Sequence, residues 1–155
     1  MRADTMKISC LQMDMRLGDE AYNYAHAVEL VREAVRRDGA DTVVLPETWN
    51  TGYFPEDLSA HADRNGERTK AVFSLLAKEL NIHIVCGSVA NRREDGFYNT
   101  AYVFDRTGSC IAEYDKTHLF TYAKEHRHFH PGGHACRFQL DGVDCGLVIC
   151  YDLRF

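Results

Sequence analysis

The feature that most constrains this chain is a pair of strand-length runs, "MKISCLQM" and "DTVVLP", separated by a segment of helical period. Tyr24, Val28, Val31 and Val35 recur at three- and four-residue spacing, which predicts a helix with one apolar face. Gly39 is placed to end it, and Arg36 and Arg37 sit where cations favour a helix C-terminus. "DTVVL" is too uniformly apolar for a strand with one wet face, so the sheet it joins must be covered on both faces. A β-helix-β opening with a doubly covered sheet predicts an α/β fold.

A second helix is predicted over Arg68 to Leu80, with Val72, Leu75, Leu76 and Leu80 as its buried stripe, leading into one strand, "IHIVCGSVA". The alternation then stops. "TAYVF", "CIAEY", "RFQL" and "VDCGLVIC" read as short antiparallel neighbours, and Asp141-Gly142 is a two-residue hairpin turn. That turn phases the last strand: Cys145, Leu147 and Ile149 share one face, Val148 and Cys150 the other. Between predicted strands lies a long irregular stretch, residues 117–135, with five histidines, and a loop of that length in a compact domain implies a function.

A net charge of -5 provides no basic field for nucleic acid, and no apolar run approaches the roughly 20 residues needed to cross a bilayer. Small-molecule or protein partners and a cytoplasmic location are expected. Six scattered cysteines without a CxxC pair suit reduced thiols better than a disulfide framework. Met6 is a second possible start, so residues 1–5 read as an extension and 6–155 as one domain.

Three residues at strand ends carry chemistry. Glu47 follows "VVLP", where Pro46 stiffens the exit of a buried strand and sets a carboxylate beyond it, as a general base requires. Lys116 follows "CIAEYD" and can stabilise a thiolate or a developing oxyanion. Cys150 ends an apolar strand, as on a nucleophile elbow, where N–H groups of the following residues can hold an oxyanion.

"LPETW", "YDKTHLF" and "CYDLRF" resemble, in order and context, the Glu, Lys and Cys motifs of the nitrilase superfamily of carbon-nitrogen hydrolases, nearest its omega-amidase-like branch. The resemblance implies a four-layer α-β-β-α sandwich and an amidohydrolase without cofactor, acting on the terminal amide of a small carboxylate through a Cys150 thioester with release of ammonia. It implies Glu47 as base, and Lys116 with the Tyr151 backbone N–H as oxyanion holders. "EHRHFHPG" matches a second, supporting glutamate at Glu125, with Glu113 a nearby competitor. A homodimer or larger homo-oligomer is implied for the complete enzyme. Nitrilase and N-carbamoyl hydrolase activities share these motifs.

The same resemblance places further strands and helices after the nucleophile. The domain is therefore expected to be incomplete at its C-terminus, as a fragment, a natural truncation or part of a split enzyme. The chain alone is expected to be inactive, with a non-catalytic subunit as the alternative.

Other residues admit two readings. Arg154 suits either a substrate carboxylate or a scaffold pair with Asp152 or a glutamate, and Trp49, Tyr53 and Phe54 either wall the substrate pocket or pack a loop. His118 reads as a hydrogen-bonded structural residue. His126, His128, His130 and His134, near Cys136, alternate along an extended loop and cannot converge on one ion, so no metal is expected.

Overall fold

The computed structural model describes residues 5–155, so of the extension expected over residues 1–5 only Thr5 is described. Strand β1 (Ile8–Cys10) is followed by helix α1 (Glu20–Asp38) and strand β2 (Thr42–Val44), the opening expected from the sequence. The Asp19 carboxylate accepts from Tyr22 N at the start of α1, and Gly39 closes it in the left-handed conformation at φ 63°. A short helix α2 (Leu58–His61) and strand β3 (Asp63–Arg64), both unforeseen, precede helix α3 (Glu67–Leu80).

The predicted strand "IHIVCGSVA" is two strands, β4 (His83–Val85) and β5 (Val89–Arg93), broken at Gly87. Gly87 lies against the β2 exit so closely that a Cβ there would fall 2.0 Å from the Pro46 carbonyl oxygen. Strand β6 (Gly96–Phe104) pairs antiparallel with β4 and β5 on one edge and with β7 (Cys110–Asp115) on the other. With β1, β2 and β4 parallel, these strands and β3 form a seven-stranded sheet.

Strands β8 (Cys136–Leu140) and β9 (Val143–Leu147) form a separate two-stranded sheet, joined through Asp141 and Gly142 at φ 48° and 83°. Both positive angles fit the turn expected from Asp-Gly.

Helices α1 and α3 cover one face of the large sheet through a core of Tyr24, Val31, Val43, Trp49, Phe73 and Tyr102. The hairpin covers the other, where Ala101, Tyr114 and Ile149 pack with Cys136 and Leu147. Helix, sheet and sheet thus appear in the order of the expected sandwich; its outer helix layer is not among the described residues. One expectation needs correction. Leu75 points to solvent at 71% exposure, because the buried line of α3 runs through Thr69, Phe73, Leu76 and Ala77. Of the two readings of Trp49, packing holds: it is buried in the helix-side core, edge-on to Tyr24 and Phe73.

Candidate active site

Chain geometry delivers Glu47 first. Leu45 N donates to Val85 O across β2 and β4, and the chain then turns at Thr48, whose φ is 45°. Ser88 pins that turn: its hydroxyl accepts from Thr48 N at 2.9 Å and its carbonyl from Trp49 N at 3.2 Å. The bare Gly87 backbone lets the Leu45-Pro46 strand lie against it, so Glu47 leaves the sheet with its direction set from both sides.

Lys116 follows β7 on the face away from the helices. Its N–H donates to Asn99 O, continuing the ladder in which Ala101 faces Tyr114. Its ammonium is 1% exposed and lies 2.7 Å from Glu47 Oε1 and 2.9 Å from Glu125 Oε2. Glu125, in a 3₁₀ turn of the long loop, also accepts from Phe120 N at 2.6 Å. Its competitor Glu113 instead pairs with Lys70 and Arg93 on the surface. The loop returns with Gly132 N donating to Lys116 O, so its backbone flanks the lysine on both sides.

Asn99, unforeseen from the sequence, completes the cluster. Its Nδ2 donates to Glu47 Oε1 and to Glu125 Oε1, both at 2.9 Å. A buried polar residue within the apolar run "YNTAYVF" was the available signal.

Burial acts to raise the Glu47 carboxyl, but hydrogen bonds from Lys116, Tyr53 and Asn99 and the lysine charge outweigh it and hold Glu47 below its ordinary value. Burial likewise works against the Lys116 ammonium, yet the two carboxylates raise its pKa. The Cys150 thiol is pushed up by burial, then by the charge and a hydrogen bond of Glu47, which together exceed the opposing effect of Lys116. These directions favour a carboxylate, an ammonium and a neutral thiol near neutral pH.

Cys150 opens a 3₁₀ turn, Cys150–Arg154, with Val148 and Ile149 between it and the end of β9, and has φ 48°. Positive φ at a non-glycine residue is strained and recurs where a side chain must be presented sharply. Asp152 fastens the turn, accepting from Ile149 N at 3.0 Å, Tyr114 OH at 2.8 Å and His118 N at 2.7 Å. The Cys150 and Tyr151 N–H groups have no partner among the described residues. A cleft of about 170 Å³ opens beside Cys150, lined by Glu47, Pro46, Gly87, Ser88, Val148 and neighbours.

The remaining candidates divide. Tyr53 donates to Glu47 Oε2 at 2.7 Å and so joins the cluster. Phe54 turns away, stacking on His128 at 4.5 Å and packing with Leu58, Ala90 and Phe129. Arg154 is exposed outside the cleft lining, and the scaffold pair considered for it does not form: Asp152 is bound to His118 and Tyr114 instead. His118 is thereby a hydrogen-bonded residue, stacked on Phe155 at 4.0 Å. Among the described residues, no three His, Cys, Asp or Glu side chains gather as a metal site, and no helix is long and apolar enough to cross a membrane.

Residues 7–155 match the carbon-nitrogen hydrolase family. The chain is 40% identical over 148 residues to a 2-oxoglutaramate amidase of Bacillus subtilis, covering 96% of this chain and 56% of that protein. It is 33% identical over 159 residues to an omega-amidase of Mus musculus, covering 97% and 56%. In structure it is similar to a CN-hydrolase superfamily protein of Xanthomonas campestris, with TM-score 0.86, 31% identity and coverage of 97% and 55%. A nitrilase-superfamily protein of Saccharomyces cerevisiae gives TM-score 0.85 at 25% identity, covering 97% and 57%. The chain spans about half the length of the curated relatives it matches.

Proposed function

The chain belongs to the carbon-nitrogen hydrolase family, and on that footing we propose that it carries the catalytic residues of an amidohydrolase acting on the terminal amide of a small carboxylate. The observation that carries the reading is the contact set of Glu47: Lys116 and Asn99 on Oε1, Tyr53 on Oε2, and the Cys150 thiol beside it.

In this reading Cys150 Sγ attacks the amide carbon while its proton passes to Glu47. The oxyanion is held by Lys116 and the Tyr151 N–H. Collapse of the tetrahedral species breaks the C–N bond, and the proton on Glu47 leaves with the nitrogen as ammonia. Water then attacks the thioester, Glu47 takes its proton, and the free acid departs as the thiol is restored. A neutral resting thiol suits this sequence, because a thiolate formed in advance would face two carboxylates with one lysine between them. Glu125 keeps Lys116 charged and in place.

An amide, rather than a nitrile or an N-carbamoyl group, is favoured by the relatives named as amidases of 2-oxoglutaramate and omega-amides. Turnover by the 155-residue chain itself is expected to be slight. Val148 at 58%, Leu153 at 80% and Phe155 at 77% exposure leave the nucleophile's turn open to water.

Peptide mapping after limiting chloroacetamide tests the site without requiring turnover. Cys150 is expected to react ahead of the other exposed thiols, Cys10 and Cys110, and to lose that lead in E47Q. Labelling that merely follows exposure would overturn the assignment. Ammonia release from 2-oxoglutaramate, a nitrile and an N-carbamoyl amino acid then separates the substrate classes.

A further inference from the structure

Glu47 Oε1 and Glu125 Oε1 share the same two donors. Lys116 Nζ lies 2.7 and 3.1 Å from them, and Asn99 Nδ2 lies 2.9 Å from each. The two nitrogens therefore bridge one pair of oxygens. Both lone pairs of Glu47 Oε1 are occupied, whereas Glu47 Oε2 accepts from Tyr53 and keeps a second lone pair for the thiol. Asn99 is 1% exposed and sits at the centre of β6, where alternation along the strand fixes its direction.

We propose that Asn99 is a positioning residue of this site: its amide clamps the two carboxylates together and, with Lys116, closes Glu47 Oε1 to protonation, so that Oε2 is the atom that takes the Cys150 proton. The proposal rests on the base-nucleophile reading of Glu47 and Cys150. It assigns to one strand residue a task that the lysine cannot perform alone. An ammonium between two carboxylates neutralises one of them, and the second negative charge needs donors that add no counter-charge. An amide supplies two such N–H groups and cannot itself exchange its proton with the substrate at neutral pH. It also fixes which carboxylate edge faces the thiol, since rotation of Glu47 would break the bonds to Asn99 and Tyr53 together.

The test is the pH dependence of Cys150 alkylation by chloroacetamide, followed by peptide mapping in the unmodified chain and in N99D, N99L and E47Q. An aspartate at this place sets three carboxylates around one ammonium, so a proton is retained on the cluster to higher pH. The acid limb of the rate profile is expected to move up by about one pH unit in N99D, which is about a tenfold lower rate below the limb. N99L, which loses both donors but adds no charge, is expected to move it in the same direction by less. Thermal unfolding of each variant monitors folding separately, and a purely structural role for Asn99 would lower stability with the limb unmoved. That result would overturn the proposal. If E47Q also leaves the limb unmoved, the underlying reading of Glu47 as the base fails instead, and the two failures are thereby distinguishable.

Discussion

Replacing Lys116 by methionine is the most direct probe of the buried cluster. The ammonium lies 2.7 Å from one carboxylate and 2.9 Å from another at 1% exposure. At an effective dielectric constant near 20, each attraction is on the order of 5 kcal/mol before desolvation is subtracted. Removing one member of a buried pair costs about 3–5 kcal/mol, chiefly because the partner charge is left uncompensated. With a urea m-value of about 2 kcal/mol/M, K116M should lower the midpoint by roughly 2 M. The pH dependence gives a second signature. In the unmodified chain Glu47 has a depressed folded-state pKa, so its contribution is present above the unfolded value and is lost as pH falls through the folded one. In K116M the two carboxylates instead retain a proton, so the deficit should shrink toward acid. Adding Glu125→Gln to K116M should recover part of the loss by removing one of the unpaired charges. A midpoint shift below about 0.5 M, or a deficit that grows toward acid, would refute the assignment of Lys116 as the cluster's counter-ion.

Gly87→Ala should displace the Glu47 turn, because its Cβ would meet the Pro46 and Leu45 carbonyl oxygens at 2.0 and 2.4 Å; selective alkylation of Cys150 should fall with it. Asp152→Ala removes the acceptor of four hydrogen bonds that fasten the turn after Cys150, and a loss of about 2–4 kcal/mol in urea unfolding is expected. Asp152 is held below its ordinary value because those hydrogen bonds outweigh the opposing effect of burial, so its contribution should vanish as pH falls through that lowered value. Leu75→Ala should change stability by less than about 0.5 kcal/mol, whereas Leu76→Ala should cost about 2–5 kcal/mol, measured by the same unfolding. In an active form of the enzyme, Lys116→Ala should lower kcat by ~10³-fold, as for a lost oxyanion stabiliser.

The sequence was informative wherever local chemistry and fold agree. Gly39 ends α1 because only a left-handed residue closes that turn cheaply, and Asp141-Gly142 sets the hairpin for the same reason. Glu47, Lys116 and Cys150 each end a strand-type run, so their strand-end positions could be anticipated, while their association required the family motifs. Asn99 offered only a polar residue inside the apolar run "YNTAYVF", and its role shows only once two carboxylates from distant segments arrive beside it. The break at Gly87 was hidden for a related reason: "IHIVCGSVA" is apolar enough for one strand, and only the approach of the Pro46 carbonyl shows why it must bend. Leu75 was misplaced because composition does not tell which side of a helix meets the core.

The loop from Thr117 to Ala135 is anchored by His118 on Asp152, Glu125 on Lys116 Nζ, His130 N on Phe97 O and Gly132 N on Lys116 O. His126 and Arg127, between those anchors, are exposed and lie outside the hydrogen-bonded cluster. Such an arrangement separates the buried contacts of the loop from its solvent-facing side chains. Substitutions at His126 or Arg127 would therefore leave the contacts of Lys116, Glu47 and Glu125 in place.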